Sequence, residues 1–487
     1  MSPAATQFAV KHETDGALSL GFKSVILEGP RGWLGPGGLP GLQNRRRAAQ
    51  RAAVGSTPIR PRLRAASREP LAPGKHEETM SDSPVPMNPR IEALRAAVDQ
   101  VMTVRDSVTE DRDQPAVVFR GRLKTEPGLA YDRLAPAFES QSLTLLLRHE
   151  DNEDLAIGVS QLKPPGTPNP MVNAVLFLLT FLSVGYAGLI NGASYLQPEA
   201  LSLDELQMWA PGAILLGVGF AASFLGILLA HEFGHYLAAR RHGTPVSLPY
   251  FIPFPAPPLG TMGAAIRLLA PPRNRRVLLD IGMAGPLAGL VVAVPVLLIG
   301  LMLSQVAPLP ATADGFANLT LEGNSIFYLA AKYLARGELL PAPASYGDTP
   351  LLLYWARYLL LGEPTPIGGH DVLLHPVAWA GWAGLLVTAL NLIPAGQLDG
   401  GHAAYVLFGR RAGRMLPFLV GGLLLLGAVW NGWWLWAALV LLLGRTYAQP
   451  LDDITPLDGR RRWVAILGLV LFVVLFMPVP LRTFGLG

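Results

Sequence analysis

Long apolar stretches begin only after residue 170 and then recur almost to the end of the chain. An α-helix needs roughly 20 apolar residues to cross a hydrocarbon core about 30 Å thick. On that measure the pattern predicts spans at 171–192, 211–239, 277–303, 376–393, 415–430, 433–444 and 462–478. The fifth and sixth are short and meet at Asn431-Gly432, so they read either as crossings or as a hairpin that stops within the bilayer. The expected fold is a polytopic α-helical membrane protein with about six or seven transmembrane helices.

The first 170 residues follow another pattern. Residues 1–80 show no sustained apolar period and carry a basic run from Arg45-Arg46-Arg47 to Arg68, so they are expected to be disordered. Such a tail could be a transit peptide, a lipid-attracted arm or sequence ahead of a true start at Met80 or Met87, and the acidic Glu13 and Glu28 favour the last. Over 89–163 the periodicity becomes globular. It predicts helices at Ile91–Val104 and Ala130–Glu139, a strand at Ala116–Leu123, and a hairpin of 143–148 with 155–162, together a small N-terminal α/β cytosolic domain. A proline-rich linker, Lys163–Pro170, leads into the membrane core expected over 171–445, and 446–487 adds a loop and a last helix.

Charge fixes the expected orientation. Arginines crowd 240–276, 410–414 and 445–462, whereas 193–210 has neither Lys nor Arg, which places the N-terminal domain and the arginine loops on the cytoplasmic side. A hydrophobic content of 51% with only 15% charged residues excludes an ordinary soluble protein. The net charge of +4 is accounted for by span-flanking arginines and the basic tail, so the partner is the lipid bilayer and no nucleic acid is expected. With no cysteine in the chain, a metal site must use His, Asp or Glu.

Such residues occur where they are expensive. His231-Glu232-Phe233-Gly234-His235 closes the second span. On a helix the two histidines are i and i+4 and share a face fit for Zn²⁺, and Glu232, one position round, is placed as a general base. The fourth span closes with Asn391-Leu-Ile-Pro394-Ala-Gly-Gln397-Leu-Asp399-Gly-Gly-His402 and offers the missing carboxylate. Both spans run outward to inward, so the two motifs reach the same depth near the cytoplasmic face. Pro394 should break the helix and let Asp399 turn toward the histidines. His402 competes with it as third ligand. Between the motifs, the prolines of 245–258 forbid a helix, and Gly260-Thr261-Met262-Gly263 opens an extended strand able to pair with an unwound substrate segment. Irregular backbone at this depth is tolerated only against protein or a wet cavity, so the segment should fold back over the metal site.

The paired motifs HEFGH and NLIPAGQLDGG resemble the site-2 protease family of intramembrane zinc metalloproteases, peptidase M50, and look nearest to its bacterial and chloroplast gravitropism-deficient-like branch. The resemblance covers about 171–445 and implies zinc on His231, His235 and Asp399, with His402 left as a neighbour. It also implies a re-entrant hairpin containing Gly260–Gly263 and a substrate- or oxyanion-binding role for Asn391. The substrate would be a membrane-spanning protein, cut in regulated intramembrane proteolysis after its helix unwinds. A bacterial inner membrane is the expected location, with a chloroplast membrane as the alternative. The rival functions are a metal transporter and a catalytically silent membrane scaffold.

Overall fold

The structure, a computed structural model, describes residues 89–110, 116–161, 166, 168–196, 211–312, 314–316 and 319–484. The expected tail over 1–80, with Met80 and Met87, lies outside the described residues, as does 197–210. All the described elements belong to one unit, Ser83–Gly487.

Apolar alternation with short turns builds the first part. Helix α1 (Pro89–Val101) is followed by β1 (Met102–Glu110), β2 (Ala116–Leu123), α2 (Pro127–Ser140), β3 (Leu143–Glu150) and β4 (Glu153–Ser160). The strands form an antiparallel sheet in the order β1-β2-β4-β3. Asp151 and Asn152, both at positive φ (49° and 65°), make the two-residue turn whose twist suits a hairpin. Phe119 and Phe138 meet edge to face beneath Leu94, Val98 and Leu134. The expected helix Ile91–Val104 stops at Val101 because Met102 begins β1. That strand is largely polar and lies at the sheet edge, so no alternation announced it.

The opposite edge, β3, is covered by a segment three hundred residues away. Leu147 N–H donates to Leu451 O (3.0 Å) and Asp453 N–H to Leu147 O (3.1 Å). On its other side, Leu451 N–H donates to Pro272 O (2.9 Å) and Asp452 N–H to Arg273 O (2.8 Å). Residues 451–453 thus stitch the sheet to the helical part, with Arg273–Asp132 (2.6 Å) and Arg410–Glu150 (2.6 Å) beside them.

Among the described residues, three helices are long and apolar enough to cross a membrane: α3 (Pro170–Leu196), α4 (Pro211–Arg241) and, after the hairpin β5 (Tyr250–Pro253) and β6 (Thr261–Ala265), α5 (Arg275–Leu303). Then come β7 (Gln305–Pro308), β8 (Thr320–Glu322), α6 (Ile326–Arg336), α7 (Leu351–Leu361) and β9 (His370–Leu373). The remaining helices are α8 (Pro376–Asn391), α9 (Asp399–Phe408), α10 (Leu416–Leu426), α11 (Gly432–Leu443) and α12 (Gly459–Leu475). Of these, α8 and α10 are shorter than the spans predicted at 376–393 and 415–430, whereas α11 and α12 keep the predicted lengths with their bounds shifted by one and three residues. A final strand, β10 (Leu481–Thr483), pairs with β8, and β7 pairs with β9. These pairings gather 305–308, 320–322, 370–373 and 481–483 at one end of the bundle, while 272–274 and 451–453 gather at the other. The α10–α11 turn reaches the first of these ends, where Trp433 Nε1 donates to Pro478 O (2.6 Å).

Small residues let the helices approach closely. A Cβ on Gly188 would stand 2.5 Å from Gly217 O, and one on Gly300 would stand 2.2 Å from Ala378 N, which seats α3 on α4 and α5 on α8. The β5–β6 hairpin lies along α3 through polar residues set in that apolar helix. Asn173 donates to Leu248 O and Pro249 O, Ser183 to Gly260 O (2.6 Å), and Asn191 to Pro258 O (3.0 Å). From Asn173 to Asn191 the helix rises about 27 Å, so the hairpin follows it for most of its length.

Candidate metal centre

Helix α4 is packed on α3, α5 and α8, and its inner face buries His231, Glu232 and His235. One turn separates the histidines, so both Nε2 atoms converge at 3.2 Å. The third group comes from the break after α8. That helix ends at Asn391, Pro394 lies in the turn, and α9 starts at Asp399, as the proline predicted. Asp399 Oδ2 lies 3.3 Å from His231 Nε2 and 3.4 Å from His235 Nε2. Among the described residues this is the group of His, Asp and Glu side chains with metal-binding spacing.

The spacing itself tests the fit. Tetrahedral bonds of 2.0–2.1 Å from zinc to nitrogen or oxygen put ligand atoms about 3.3–3.4 Å apart. The three separations observed, 3.2, 3.3 and 3.4 Å, are those edges. Two imidazole nitrogens and a carboxylate oxygen are also a donor set that zinc accepts, with one corner left over.

The orientation of His235 is fixed from behind. Its Nδ1 donates to Ile281 O of α5 at 2.7 Å, which leaves the Nε2 lone pair facing the other ligands. The α5 surface that accepts these rings is a row of glycines. A Cβ would stand 2.9 Å from His402 at Gly282, 2.0 Å from His235 at Gly285 and 3.3 Å from His231 at Gly289. The sequence reading missed both Ile281 and this row. Its signal was present as Gly282-Met-Ala-Gly285-Pro-Leu-Ala-Gly289, small residues at helical spacing inside an apolar span.

Glu232 is buried beside the ligands and outside their triangle, with the Ile266 backbone N–H facing its carboxylate. Asn391 is brought to the site, with Nδ2 3.4 Å from His231 Nε2. His402 lies one turn beyond Asp399 against Gly282, outside the ligand triangle. The four strand residues divide. Gly260 (φ +77°) lies against Ser183 and Val184, and Thr261 is buried with Oγ1 donating to Ile252 O, so both shape the hairpin. Met262 is exposed and Gly263 faces open space. His370 and His375 are elsewhere, one on Glu338 and the other capping α8.

A histidine pair one helical turn apart, a carboxylate from a second helix and a buried glutamate between the histidines are the elements of a zinc peptidase centre held inside an apolar bundle. Residues 219–427, which contain all of them, match the model of Peptidase family M50, the site-2 protease family that the paired motifs resemble. Similar curated proteins include "Probable zinc metalloprotease EGY2, chloroplastic" of Oryza sativa subsp. indica, 29% identical over 376 residues, 75% of this chain and 62% of the relative. The protein of the same name from Arabidopsis thaliana is 30% identical over 382 residues, 76% of this chain and 61% of the relative. "Probable zinc metalloprotease EGY1, chloroplastic" of Arabidopsis thaliana is 32% identical over 321 residues, 63% and 53%. The chain spans about three-fifths or less of the length of these relatives. No solved structure matches it.

Proposed function

We propose that this chain is an intramembrane zinc endopeptidase that cuts a peptide bond in or near a transmembrane segment of a membrane-anchored protein. The observation that carries the proposal is the 3.2–3.4 Å triangle of His231, His235 and Asp399 with the buried Glu232 beside it. Zinc held there would supply Lewis-acid polarisation of the scissile carbonyl and an acidified water. Glu232 would act as the base that takes a proton from the attacking water and gives one to the leaving amine. Asn391, beside His231, donates its amide toward the substrate carbonyl oxygen.

The β5–β6 hairpin is read as re-entrant, its backbone satisfied by α3 and by its own ladder, which is the condition for non-helical chain at this depth. The outer edge of β6 at Met262 and Gly263 would pair with the unwound substrate, while Gly260 and Thr261 hold the hairpin to α3. The shorter α8, α10, α11 and α12 complete the membrane core, and residues 89–160 form a cytosolic domain. The relatives' names support the chloroplast membrane for the compartment, and none cited supports the bacterial inner membrane. A transporter would string ligands along a path, whereas this group is one closed triangle with a base beside it.

The test is cleavage of a reporter transmembrane helix by the purified full chain in lipid vesicles, beside Glu232→Gln. The proposal requires cleavage by the wild type alone; equal cleavage by both, or by neither when zinc is bound, refutes it.

A further inference from the structure

Helices α5 and α9 run antiparallel and are linked at three heights, directly or through a third residue. At the deepest, Asp399 of α9 meets His235, whose ring lies over Gly285 and donates to Ile281 O. One turn further along, His402 packs on Gly282. At the third height the helices have no direct bond, and Asp453 stands between them. Its Oδ1 accepts from Arg275 Nε of α5 (2.7 Å) and from the Tyr405 hydroxyl of α9 (3.1 Å), and the Arg275 guanidinium lies over the Tyr405 ring at 5.7 Å.

We infer that Asp453 is a positioning residue for the metal centre, bracing the two helices that carry the Asp399 ligand and the Ile281 carbonyl behind His235. Arg275 precedes Ile281 by six residues, and Tyr405 follows Asp399 by six, so each arm of the brace is about 9 Å of rigid helix. A shift at Asp453 is therefore passed to both sides of the ligand triangle together. Asp453 is itself well fixed. Its carboxylate is nearly covered, its N–H donates to Leu147 O of β3, and the adjoining Leu451 carbonyl accepts from Arg148. The N-terminal sheet thus holds the residue that holds the two helices. The inference rests on the metal-centre reading and adds to it a residue remote in sequence from both motifs.

The experiment compares full-length wild type with Asp453→Asn, Tyr405→Phe and, as a control on the same domain contact, Glu150→Gln. Zn²⁺ affinity is measured by chelator competition, and the visible spectrum of the Co²⁺-loaded protein reports the ligand arrangement without any need for activity. Asp453→Asn should weaken Zn²⁺ binding about tenfold, the lower end for residues that orient ligands from outside. Its cobalt bands should move as well. Tyr405→Phe removes a single hydroxyl, so it stays folded and should produce a smaller loss with a shift of the same sign. Glu150→Gln should match the wild type in both readouts. Wild-type affinity and spectrum in Tyr405→Phe and in Asp453→Asn would overturn the brace, even if melting temperatures fell. A wild type that binds neither metal would overturn the centre together with its brace.

Discussion

The ring of His235 occupies the space that a side chain at Gly285 would need: a Cβ there would stand 2.0 Å from Nε2, the atom aimed at the metal. Gly285→Ala must therefore push the ligand out of line or force α5 away from α4. It is predicted to lose most bound zinc, while Gly289→Ala, whose Cβ would stand 3.3 Å from His231, should keep most of it. Metal analysis of the two purified variants makes the comparison, and equal zinc in both would show that the glycine row does not seat the ligands.

Glu232 lies beside the ligand triangle without belonging to it, so its roles in binding and in chemistry separate. Glu232→Gln keeps the shape and removes the base. Zinc content should be unchanged and peptide cleavage should fall by several orders of magnitude. Loss of zinc in this variant would make Glu232 a ligand.

Much of this was legible in the sequence because the chemistry-bearing residues violate the apolar pattern around them. Two histidines and a glutamate at the end of an apolar helix declare themselves, and Pro394 foretold the break that turns Asp399 inward. The strand Ala116–Leu123 has the bounds that the sequence predicts. What stayed hidden depends on partners far away in sequence. Strand β1 is polar because it is an edge, Asp453 looks like any loop aspartate until Arg275 and Tyr405 converge on it, and β8 exists only through its pairing with β10. Gly260 and Thr261 read as substrate contacts because the sequence could not show that α3 already takes that side of the strand.

A substrate helix hides its carbonyls in its own hydrogen bonds, so unwinding precedes attack. Gly, Pro or Asn placed near the cytoplasmic half of a reporter span should speed cleavage, and a run of Leu should slow it. Equal rates across such a series would remove the unwinding step.

At the other end of the bundle, Lys332 is buried between Glu322 and Asp371, each at 3.6 Å, with Tyr328 donating to Glu322. Burial, with the neighbouring Asp371 charge adding to it, pushes the Glu322 carboxyl up to about 7 despite the lysine, and burial raises Asp371 as well. A carboxyl raised in the folded state contributes stability that is fully present below its ordinary value near 4.5 and is lost as pH rises through about 7. Hydrogen exchange in α6 should therefore quicken between about pH 5 and pH 8 beyond the intrinsic pH effect, and Glu322→Gln should flatten that excess. An excess unchanged in the variant would remove Glu322 from the explanation.

The central claim is that two motifs about 160 residues apart converge on one zinc ion. Zinc per chain, measured on purified Asp399→Ala and His402→Ala beside the wild type, tests it most directly. Asp399 closes the ligand triangle and His402 stands one turn outside it, so the account predicts zinc lost in Asp399→Ala and largely kept in His402→Ala. Zinc kept without Asp399 and lost without His402 would contradict it.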